Sequence, residues 1–62
     1  MPNILEIRIT QKNQLFIYLE LKKDNEAAGI SVIGLDKQIL QLETAMEAED
    51  VAWVKEKIAQ LP

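Results

Sequence analysis

The segments Leu5-Glu6-Ile7-Arg8-Ile9-Thr10 and Leu15-Phe16-Ile17-Tyr18-Leu19-Glu20-Leu21 decide how this chain is read. In both, an aliphatic residue stands at every second position. Successive side chains of an extended strand point to opposite faces, so this spacing predicts strands with one buried face. A weaker run continues the pattern, with Ala28, Ile30 and Val32 set against Gly29, Ser31 and Ile33. The expected strands cover residues 3–10, 15–22 and 28–33.

Pairing arithmetic supports a meander. Gln11, Lys12, Asn13 and Gln14 interrupt the apolar pattern, and Asn13 tolerates the positive φ of a turn. An odd loop centred on Asn13 pairs Ile9 with Ile17, Ile7 with Leu19 and Leu5 with Leu21, so one face becomes wholly aliphatic. A two-residue loop at Lys12-Asn13 sets apolar beside polar, and a one-residue slip turns every side chain over. A two-residue loop at Asp24-Asn25 then places Leu21 opposite Ala28, Leu19 opposite Ile30 and Ile17 opposite Val32, on the same face. The competing reading is a short helix from Asp24 to Ala28. Glu26, Ala27 and Ala28 favour it, whereas Gly29, Gly34 and the β-branched residues between them oppose its extension.

After Gly34 the period changes. Leu35, Ile39, Leu42 and Met46 form one helical stripe, and Val51, Val54, Ile58 and Leu61 a second. Helices are expected over 36–47 and 51–61, with Asp36 and Asp50 as N-caps and Lys55 and Lys57 near the negative end of the second helix dipole. A single helix over 36–60 would run about 37 Å, past a strand of about 25 Å. Its second stripe would also be rotated by roughly a quarter turn from the first. A break near Glu47–Asp50 removes both difficulties. The expected fold is α+β, one domain over 1–62: a three-stranded antiparallel meander followed by an α-helical hairpin packed on one face of the sheet.

Composition narrows the function. The 62 residues include no Cys and no His, which removes disulfides, thiolate metal sites and the common nucleophile–base pairs. So short a chain buries only about 60% of its unfolded surface and needs a staple or a partner. Tight packing or self-association remains. The net charge of −3 opposes a general phosphate-backbone binder. The amino terminus lacks a basic segment ahead of an apolar one, so no secretory signal is expected. No run reaches the ~18 continuous apolar residues of a membrane span. A soluble cytoplasmic protein is expected.

Motifs with chemical potential each have a plainer reading. Glu6 and Glu20 fall opposite each other on the outer sheet face, without a cleft to separate their pKa values. Gly29 and Gly34 have phosphate-loop spacing, but Leu35 and Asp36 follow where Lys and Ser or Thr are required. Glu43, Glu47, Glu49 and Asp50 cluster at a turn without the pattern of a calcium loop. Trp53 lies off the second stripe and fits a core edge against the first helix, with an interface as the alternative.

The outer face of the expected sheet carries Phe16 beside Ile33, and Tyr18 opposite Arg8. Contiguous exposed apolar groups of this kind mark interfaces. The expectation is therefore a non-catalytic interaction or assembly module, without cofactor, metal or small-molecule ligand. It would be a homodimer, or bind a protein partner, through Phe16, Tyr18, Ile33 and Arg8 at the face or edges of the sheet. The alternative is a small nucleic-acid-binding regulator that uses the β-hairpins, with Phe16 and Tyr18 stacking on bases.

Overall fold

Asn3 opens a helix, not a strand. Its side-chain Oδ1 accepts from the Glu6 backbone N–H at 2.9 Å, so one of the unpaired donors at a helix start is satisfied. No Gly or Pro occurs between Asn3 and Ala28, and nothing breaks the helix that follows. The computed structural model describes residues 3–62 and contains three helices: α1 (Ile4–Ala27), α2 (Ile33–Ala45) and α3 (Ala48–Ala59).

The end of α1 is as well defined as its start. Gly29 takes φ 74°, the left-handed value that glycine adopts without steric cost. The Ile30 N–H returns to the Asn25 carbonyl at 2.8 Å, and the Gly29 N–H to the Glu26 carbonyl at 3.1 Å. This is the paired bonding of a Schellman C-cap, which satisfies carbonyls left open by the last turn.

The three-stranded meander is thereby overturned, and with it the α+β class and the antiparallel sheet. Residues 3–10 and 15–22 belong to one continuous helix, with Asn13 in its interior. Residues 28–32 form the connection to α2, which Ile33 begins. Among the described residues there is no strand. The hairpins on which the nucleic-acid reading depended are absent for the same reason. The helices expected over 36–47 and 51–61 each start three residues earlier, at Ile33 and Ala48. Val32 and Glu47 occupy the N-cap positions, without a side-chain cap bond. Asp36 and Asp50, expected there, stand in the first turns and pair with α1.

α1 is the axis of the fold, and both shorter helices pack on it. Lys22 pairs with Asp36 at the start of α2 at 2.8 Å, and Arg8 pairs with Asp50 at the start of α3 at 2.8 Å. α2 therefore runs back along α1, and α3 follows α1's own direction. Lys55 joins Glu43 across α3 and α2 at 3.2 Å. Leu15 and Val54 are fully buried, Ile39 and Met46 nearly so. Phe16, Tyr18, Leu19, Leu35, Leu42, Val51 and Ile58 close around them. The 24 residues of α1 span about 36 Å, against about 20 and 18 Å for its partners. The segment from Arg8 to Lys22 matches them in length. The turn before Arg8 carries Ile4 and Leu5, which are exposed.

Candidate interaction surface

In a helix, residues two apart lie about 200° apart around the axis. An alternating sequence folded as a helix therefore distributes its aliphatic side chains around the whole circumference. Here Leu15 and Leu19 face the core, while Ile17 and Leu21 face water, 62% and 46% exposed. Ile7 is 40% exposed, and Ile4, Leu5 and Ile9 are exposed as well. Six of the ten exposed large hydrophobics among the described residues thus belong to α1, against four hydrophobic residues that are buried. The chain exposes 4632 Å², whereas a compact monomer of its 7.1 kDa would expose about 4,100 Å².

The exposed residues on α1 have an order. Ile7, Thr10, Gln14, Ile17 and Leu21 are spaced three, four, three, four, which keeps them on one line along the helix, away from Leu15. Gln14 Nε2 donates to Tyr18 Oη at 2.9 Å along the flank of this line. A shallow open hollow lined by Glu6, Ile7, Thr10 and Gln11 lies at its amino-terminal end.

The four residues expected at an interface do not form one patch. Phe16 and Tyr18 are partly buried, packed against the core from two flanks of α1. Ile33 is 69% exposed at the start of α2. Arg8 is occupied within the chain: its Nε and Nη2 donate to the two Asp50 oxygens at 2.8 and 2.9 Å, and Nη2 also to Glu49 at 2.6 Å. The Arg8 hydrogen bonds hold the Asp50 carboxyl below the usual carboxylate range, against the opposing effect of desolvation. The same bonds, Asp50 first and Glu49 second, raise the guanidinium's affinity for its proton. The Asp36 hydrogen bond raises that of Lys22.

The acidic cluster is dispersed by pairing. Glu43 meets Lys55, while Glu49 and Asp50 meet Arg8. Among the described residues no group of three or more His, Cys, Asp or Glu side chains is placed to hold a metal ion. Glu6 and Glu20, expected face to face, are fourteen residues apart on one helix. Trp53 is about half exposed, with the ammonium groups of Lys12 and Lys57 at 5.0 and 5.5 Å from its ring centre. Lys12 ties α1 to α3 in this way, a contact that pairing in a sheet gave no reason to expect.

The residues that sequence reasoning missed are Ile7, Ile17 and Leu21 as an exposed line. Asn3 followed three residues later by Glu6, ahead of an apolar run, is a helix-start signature. Together with the stretch free of Gly and Pro up to Gly29, it was the available signal. Among the described residues no helix is long and apolar enough to cross a membrane. No protein-family model, no curated protein and no solved structure matches the chain.

Proposed function

We propose that this protein is a non-catalytic interaction or assembly module that associates with itself through the outer face of α1. The observation that carries the reading is ten exposed large hydrophobics among the described residues, six of them on α1, beside a core of four buried residues and seven partly buried ones. An exposed apolar surface beyond that of an ordinary monomer marks an interaction site. With no Cys to form a disulfide, a partner subunit is the simplest source of further burial. Ile33 is exposed on α2 and is no part of this α1 face, whereas Phe16, Tyr18 and Arg8 support the fold from within. The cytoplasm is the compartment this reading expects, since a chain without Cys suits a reducing environment. Sedimentation equilibrium over about 1 µM to about 1 mM tests the proposal, a range that reaches weak dimers. A mass that rises towards twice that of the chain supports it, and a monomer throughout rejects it.

A further inference from the structure

Granted that the chain self-associates, the arrangement of α1 also specifies how. We infer that two copies pair their α1 helices in parallel and in register along Ile7, Thr10, Gln14, Ile17 and Leu21. In heptad terms Ile7, Gln14 and Leu21 occupy a, and Thr10 and Ile17 occupy d. The line lies away from the core residue Leu15, so α2 and α3 keep their places on the opposite side of the helix.

Charge selects the orientation. One flank of the line carries Glu6, Asn13 and Glu20, and the other Gln11, Tyr18 and Asn25. In a parallel pair each flanking residue meets the opposite flank of the partner five positions on. Glu6 then meets the partner's Gln11, Asn13 the partner's Tyr18, and Glu20 the partner's Asn25, with no like charges opposed. An antiparallel pair brings the acidic flanks together, with Glu6 near the partner's Glu20 twice over. Juxtaposed like charges disfavour that arrangement. The polar Gln14 at a central a position adds register, because only the in-register pair places the two amides against each other.

Area limits the size of the contact. The chain's surplus exposure is on the order of 500 Å², short of the ~800 Å² per partner of a standard stable interface. A dimer that forms in the micromolar range and dissociates on dilution is the expected product.

Cysteine substitution suits a chain with no Cys of its own. Ile17→Cys is expected to form a disulfide-linked dimer under mild oxidation at micromolar concentration. Ile17→Asp is expected to weaken association by at least about thirtyfold, as loss of a central apolar anchor does. The residue is exposed in the single chain, so its helical circular dichroism should be retained. Ile33→Asp, on α2, should leave association unchanged. Cross-linking only between Ile7→Cys and Ile17→Cys chains in a mixture would show antiparallel pairing and overturn the orientation. A dimer indifferent to Ile17→Asp would overturn this seam while leaving self-association standing. A wild-type chain that stays monomeric would instead defeat the reading on which the seam depends.

Discussion

Arg8 and Asp50, forty-two positions apart, form a two-pronged ion pair that fixes the start of α3 to the first third of α1. Asp50 is 5% exposed, and both of its oxygens are occupied. A buried carboxylate is tolerated where a charged partner satisfies it, and removing one partner leaves the other desolvated and unpaired. The pair is better understood as fixing where α3 docks than as a large source of net stability.

Its pH dependence follows from the direction of the Asp50 shift. The folded carboxyl binds its proton more weakly than the unfolded one, because Arg8 donates to it. Its contribution is present above the unfolded Asp value of about 3.9 and is lost as pH falls through the lower folded value. Urea denaturation followed by circular dichroism from pH 7 to pH 2 should show stability falling across the acid range. In Asp50→Asn the fall should be shallower, and the variant should already be weaker at neutral pH. An unchanged acid profile in that variant would remove the pair from the explanation.

The core is small enough for one residue to matter. Leu15 is fully buried against residues of α2 and α3. Leu15→Ala should cost about 3 kcal/mol, a large part of the roughly 3–9 kcal/mol available to a chain of this length. Ile9→Ala, at an exposed position, should change stability by less than about 0.5 kcal/mol. Comparable losses in the two variants would contradict the assignment of α1's inner face.

The two glycines should respond with opposite signs to the same substitution. Gly29 has a positive φ, and an added Cβ would meet no neighbouring atom. The penalty in Gly29→Ala is therefore conformational, about 1–2 kcal/mol destabilising. Gly34 lies in the first turn of α2 with equally open surroundings. Gly34→Ala should stabilise by about 0.5–1 kcal/mol, since alanine favours helix and restricts the unfolded chain. Thermal midpoints of the two variants decide this directly.

Lys12 and Trp53 offer a measure of α1–α3 docking. With the ammonium 5.0 Å from the ring centre, a double-mutant cycle of Lys12→Gln and Trp53→Leu should give a coupling of about 0.5 kcal/mol at this half-exposed site. A coupling of zero would make the proximity incidental.

How much of this was legible differs along the chain. The stripes Leu35, Ile39, Leu42, Met46 and Val51, Val54, Ile58, Leu61 have helical spacing in the sequence, and in the structure all of them but Leu61, which lies beyond the end of α3, line the core. There periodicity and burial agree, because each short helix has one face to cover. Residues 4–27 differ. Their alternation is a strand pattern, yet the Asn3 cap, the lack of a breaker and the Gly29 C-cap all act locally in favour of one helix. Two local signals conflicted, and the apolar period was the more visible one. The shared face of Phe16, Tyr18, Ile33 and Arg8 went with it, since these lie on one side only in a sheet.

From its residues alone the chain settled the absence of Cys and His and the helical stripes that follow Gly34. Which aliphatics are buried was settled by packing. Leu15 and Ile17 are similar in character and two positions apart, and one is fully buried while the other is 62% exposed. The difference arises because α2 and α3 cover a single side of a 24-residue helix. The face left outside follows from where those helices dock, a choice fixed by contacts such as Arg8 with Asp50 and Lys22 with Asp36 that join residues distant in sequence.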